Sequence, residues 1–168
     1  MPRSFDMATD YEGSVEQVHR AFGDERYWLA RLADSGADET TLDALTVTGD
    51  GGIDVVTTQV LRSNRLPGLV SQFHRGDLNI RREEHWQPIR DGRAAGAVTG
   101  TIPGAPVSLS GTATLAGTGG GSRLSVQITV EVKVPLVGGK IESFIGSQLT
   151  ELLIAEQRFT SVWITEHR

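Results

Sequence analysis

Three charged side chains set among apolar neighbours are the residues best placed to do chemistry: Arg82, Glu84 and Glu156. Side chains alternate along a strand, so Leu78, Ile80, Arg82, Glu84 and Trp86 share one face. If that face turns inward, the arginine and glutamate form a polar island able to orient a carboxylate or hydroxyl group, or else a structural ion pair. In the opposite register Arg81, Glu83 and His85 would point inward; Leu78, Ile80 and Trp86 favour the first. Glu156 lies between Leu152 and Phe159 on a helical stripe. Buried without a partner, its carboxyl would be pushed up and could act as an acid or base. A slightly rotated helix would instead leave it at the solvent boundary or beside an arginine. Gln148 is similarly ambiguous and could hydrogen-bond a ligand.

Other chemistries lack their residues. The chain has no cysteine, which excludes disulfides, thiolate catalysis and sulfur-ligated metal. His19, His74, His85 and His167 are scattered without metal-ligand spacing, and Ser108 and Ser110 have no nucleophile elbow. The Gly117 to Gly121 run is neither a phosphate loop nor a dinucleotide fingerprint, because no Lys-Ser/Thr follows and no helix begins there. No catalytic residue, metal site or cofactor is assigned. The net charge of -5, from interspersed acids and bases, argues against a nucleic-acid partner.

The elements that would position these residues follow from periodicity. Lys140 to Arg168 carries Ile141, Phe144, Ile145, Leu149, Leu152, Leu153, Phe159 and Trp163 three or four apart, predicting one long amphipathic helix of roughly 40 Å. Upstream, Arg3 to Tyr11 alternates as a first strand with Phe5 and Met7 on one face. Ser14 and Gln17 then form a capping-box pattern ahead of a short helix, and Trp28, Leu29 and Leu32 suggest a second. Six further strands are predicted at Thr40–Thr48, Ile53–Arg62, Leu78–Trp86, Ala94–Ile102, Val107–Ala116 and Arg123–Val134. Glycine-rich turns join them as a meander. Between Asn64 and Gly76 the alternation lapses, and Leu69 and Phe73 would cap a cavity or close the end of a core. A chain of 168 residues fits a single domain spanning 1–168. No segment reaches the roughly 20 apolar residues that cross a bilayer. Met1 to Asp10 lacks a signal-peptide core, so a cytoplasmic location is expected.

This order, with Phe5-Asp6-Met7 leading into Ser14-Val15-Glu16-Gln17-Val18, then Glu84-His85-Trp86, then Gly138-Gly139-Lys140-Ile141-Glu142, resembles the Bet v 1-like/START-like (SRPBCC) superfamily. The local sequence looks closest to its bacterial polyketide cyclase/dehydrase and lipid-transport branch. The resemblance implies an α+β helix-grip fold: a curved seven-stranded antiparallel sheet wrapped around the C-terminal helix, two short helices after the first strand, and a hydrophobic pocket between sheet and helix.

The functional expectation is a module that binds a hydrophobic small molecule such as a lipid or polyketide. Phe5, Met7, Leu69, Phe73, Leu78, Ile80, Arg82, Glu84, Leu152, Glu156, Phe159 and Trp163 are the expected lining. Two alternatives stay open: a cyclase/aromatase-type enzyme using the same cavity, and an interaction or regulatory protein, such as a homodimer, with its cavity filled.

Overall fold

The alternating segments form seven strands of one curved antiparallel sheet, in the computed structural model that describes residues 2–66, 68 and 74–167. The strands are β1 (Arg3–Tyr11), β2 (Glu39–Val47), β3 (Ile53–Leu61), β4 (Leu78–Trp86), β5 (Arg93–Thr101), β6 (Val107–Thr118) and β7 (Gly121–Val132). Their order is β1-β7-β6-β5-β4-β3-β2, a meander whose last strand pairs with the first. Two short helices, α1 (Val15–Phe22) and α2 (Glu25–Asp34), follow β1, and α3 (Gly138–Glu166) closes the chain. This is the helix-grip architecture.

Local chemistry fixes the boundaries. The Ser14 hydroxyl accepts the Gln17 N–H at 3.2 Å while the Gln17 side chain accepts the Ser14 N–H at 2.9 Å, so the capping box opens α1 as expected. Asp24 caps α2 by accepting the Arg26 N–H at 2.9 Å. On α2 the buried face is Tyr27, Trp28, Arg31 and Leu32, whereas Leu29, expected on that face, is 51% exposed. The helix is turned by one residue because two aromatic rings bury more apolar area than one leucine. α3 starts two residues before Lys140, and β2 carries a register shift between Leu42 and Ala44.

α3 lies across β1 and β7, with α1 and α2 over its C-terminal half. Phe5 of β1 tucks under Gly146, where an added Cβ would stand 2.4 Å from the ring, so the helix can approach the sheet only with glycine there. Phe5 and Met7 thereby join a core with Ile128, Val130, Val132 and Ile141 beneath the first half of α3. A second, aromatic core lies beneath the other half. Tyr27 meets Trp28, Phe159 and Trp163 with ring centroids 5.4 to 5.8 Å apart. Phe22 links this group to Trp86 at 5.2 Å. Trp86 spreads over its cross-strand partner Gly96, where a Cβ would fall 2.8 Å from the indole. The candidate site lies beside the aromatic core, where α3 faces β3 and β4.

Candidate functional site

β4 turns Leu78, Ile80, Arg82, Glu84 and Trp86 inward and leaves Arg81, Glu83 and His85 exposed, the register favoured by its apolar residues. Arg82 stands opposite Thr57 of β3 and Gly100 of β5, and Glu84 opposite Val55 and Val98. These small neighbours leave room above the sheet for two long charged side chains. His85 sits on the outer face beside Asp54, and His19 contacts the Gln87 carbonyl oxygen at 3.0 Å.

Glu156 descends from α3 onto this pair. Its Oε2 accepts from Arg82 Nη1 at 2.7 Å and its Oε1 from Arg82 Nη2 at 3.1 Å, a bidentate fork. Arg31 of α2 brings Nη2 to 2.6 Å from Glu156 Oε1. Arg82 Nε lies 3.1 Å from Glu84 Oε2. Two arginines and two glutamates thus balance charge across α2, β4 and α3. A chain of hydrogen bonds orients the cluster. Arg31 Nη1 donates to Tyr27 Oη at 3.1 Å, and Tyr27 lies 2.6 Å from Thr160 Oγ1. Thr160 gives its proton to the Glu156 carbonyl at 2.7 Å, so the Tyr27 hydroxyl donates to Thr160. The Arg31 guanidinium also lies over the Trp28 ring, 4.6 Å from its centroid.

Of the readings open for Glu156, the arginine partner is the one realised. Burial alone would push its carboxyl up, but Arg31 and Arg82 outweigh burial and bring it down to about 2. Burial works against the charge on Arg31 and Arg82, yet Glu156 holds both guanidinium groups above their usual range. Burial raises the Tyr27 phenol, which stays neutral. Glu156 is therefore a carboxylate near neutrality and offers no proton to a bound molecule.

A stability prediction follows from the same shift. The carboxyl titrates lower in the fold than its ordinary 4.5, so the unfolded chain binds more protons through the intervening range. The stabilisation is complete above about pH 4.5 and is lost as pH falls toward 2, amounting to roughly 3 kcal/mol. Acid titration followed by circular dichroism should show this loss, and Glu156→Gln should flatten it. An unchanged acid limb in that variant would contradict the assignment.

Beside the cluster a cavity of about 70 Å³ opens between β3, β4, α2 and α3. Thr57, Gln59 and Arg82 form its floor; Trp28, Arg31 and Leu32 form one wall; Leu152, Ala155, Glu156 and Phe159 form the other. Exposed Asp34 and Ser35, with Leu152 at 37% exposure, mark the mouth. The volume is well under the roughly 300–1,000 Å³ of drug-sized pockets. A larger depression of about 490 Å³ lies across β1, β7 and β6, lined by outward-facing Asp6, Thr112 and Gln127 among others. It is a shallow surface remote from the charged cluster. Among the described residues, no three His, Asp or Glu side chains gather as metal ligands.

Of the expected lining residues, Arg82, Leu152, Glu156 and Phe159 border the cavity, and Glu84 lies behind Arg82. Phe5 and Met7 pack in the core beneath the first half of α3, and Trp163 packs in the aromatic core. Leu78 is buried and Ile80 half-buried on the same face of β4, outside the cavity lining. Leu69 and Phe73 lie outside the described residues. Gln148 is exposed. Sequence reasoning missed Arg31, Thr57 and Gln59. Their signal was a polar residue in an apolar stripe: Arg31 follows Tyr27 by four and Trp28 by three, and Thr57 and Gln59 interrupt Ile53, Val55 and Leu61.

Residues 6–164 match the protein family described as "Protein of unknown function (DUF2505)". The uncharacterized protein Rv0481c of Mycobacterium tuberculosis is 54% identical over 173 residues, covering 99% of each chain. Among solved structures, the Zhui aromatase/cyclase of a Streptomyces species superposes with a TM-score of 0.64 at 10% identity, covering 98% of this chain and 94% of that one. Norcoclaurine synthase from Thalictrum flavum, in complex with dopamine and hydroxybenzaldehyde, gives 0.62 at 16% identity, covering 100% and 89%. The fold is that of the Bet v 1-like (SRPBCC) superfamily. No helix among the described residues is long and apolar enough to cross a membrane.

Proposed function

The chain belongs to the DUF2505 family, and from the geometry of its site we propose that it binds a small, mostly apolar molecule between β3, β4, α2 and α3. The observation that carries this reading is a cavity walled by Trp28, Leu32, Leu152 and Phe159 and bordered by a charge-balanced cluster. Apolar walls supply burial, while the paired charges rigidify one side without presenting a net charge. The enclosed volume of about 70 Å³ holds only part of a ligand, so even a single aromatic ring projects through the mouth beside Asp34, Ser35 and Leu152, and an extended acyl chain would have to displace the walls. A cyclase reading needs a titrating group facing the cavity. Glu156, held at about 2 by two arginines, does not serve, so binding is preferred over catalysis.

The test is a small aromatic probe such as toluene, titrated while the Trp28 indole N–H resonance is followed. Phe159→Ala and Leu152→Ala each remove a wall and should weaken binding about tenfold, equivalent to about 1.4 kcal/mol. Equal affinity in wild type and both variants would place the probe elsewhere.

A further inference from the structure

We infer, resting on the cavity-binding reading, that the molecule held there is uncharged and carries a hydroxyl or carbonyl oxygen read by Thr57 and Gln59. Thr57 is only 4% exposed and borders the cavity. Among the described residues its hydroxyl has no hydrogen-bond partner, whereas the buried hydroxyls of Tyr27, Thr160 and Ser122 all have one. The hydroxyl is open to the cavity, so it bonds water there until a ligand oxygen replaces it. Gln59, two residues along the same face of β3, is half-buried, lines the same floor and likewise has no side-chain partner among the described residues. At about 3.3 Å per residue the two side chains arise some 6.6 Å apart, close enough to converge on one polar group. A threonine hydroxyl and a carboxamide each donate and accept, so together they suit a hydroxyl or a carbonyl oxygen.

The charged wall argues for neutrality. Arg31 and Arg82 are matched by Glu84 and Glu156, and the Arg82 fork is already closed by Glu156. An anion would have to displace Glu156 from its two arginines and leave that carboxylate buried and uncompensated. A cation would have to draw Glu156 away from both. Either exchange breaks an existing buried pair, whereas a neutral oxygen engages β3 and leaves the cluster intact.

Four probes of one shape separate these possibilities in the full-length protein: toluene, benzyl alcohol, benzoate and benzylamine, each titrated by NMR. Benzyl alcohol should bind about tenfold more tightly than toluene, and tighter still than either charged probe. Thr57→Val, which keeps shape and removes the hydroxyl, should erase the preference for benzyl alcohol over toluene. Thr57→Ser, which restores a hydroxyl, should retain the preference, and Gln59→Leu should reduce it. Benzoate or benzylamine binding as tightly as benzyl alcohol, or a preference unchanged in Thr57→Val, would overturn the inference while leaving the cavity reading standing. If no probe binds the wild-type chain, both readings fall.

Discussion

Glu156→Ala should destabilise the fold by about 3–5 kcal/mol, because removing one partner of a buried ion pair strands the other's charge. Here one carboxylate serves two guanidinium groups, Arg31 at 2.6 Å and Arg82 at 2.7 Å, with side chains only 9% and 22% exposed. Glu84 remains to face Arg82, and Arg31 keeps its contacts with the Trp28 and Tyr27 rings and its bond to the Tyr27 hydroxyl. Urea denaturation should show a lowered midpoint with little change in slope. A loss below about 1 kcal/mol would mean that water screens the cluster as it does a surface pair. The companion variant replaces Arg31, Arg82, Glu84 and Glu156 together by methionine and leucine. Desolvation then disappears along with attraction, and stability should be close to that of the wild type or higher. A large loss in both variants would mean that the apolar replacements pack poorly above Thr57 and Gly100.

The legible part of the architecture is the part in which one solvent boundary governs each element. On β4 the inward register was readable because Leu78, Ile80 and Trp86 outnumber the charges between them. The polar cluster was less legible because its partners are distant in the chain. Arg31 looks like a solvent-exposed helix residue until Glu156 is brought to it, and the exposed Leu29 takes the inward place in any count of apolar residues alone. Hydropathy assigns a buried arginine no favourable place, since its stability depends on a carboxylate supplied by another element. Glu142 illustrates the same limit: fully buried on α3, it accepts the Val132 N–H at 2.9 Å, a partner that periodicity does not reveal. The size of the cavity was not legible either. Phe5 and Met7 face inward as their alternation requires, but Gly146 lets α3 descend onto them, so those side chains fill core space.

Trp28→Ala is expected to cost a further about 3–5 kcal/mol as a separate substitution, because Trp28 joins the aromatic core to the charged cluster. Its ring is 2% exposed, its Nε1–H donates to the Phe22 carbonyl at 2.7 Å, and its face carries Arg31. Truncation leaves a cavity, strands a buried carbonyl and removes the surface that holds Arg31 against Glu156. Trp28→Phe separates these effects: it keeps an aromatic face and loses the hydrogen bond, with an expected cost of about 1–3 kcal/mol. Thermal unfolding of both variants reads the total. The link to the cluster is read by combining Trp28→Phe and Trp28→Ala with Arg31→Met in double-mutant cycles. Coupling of about 0.5–3 kcal/mol with alanine, and less with phenylalanine, would locate the interaction in the ring face. Additive costs in both cycles would mean that Glu156 and Tyr27 alone hold Arg31. Trp28 would then be a core residue whose contact with the arginine adds nothing to its position.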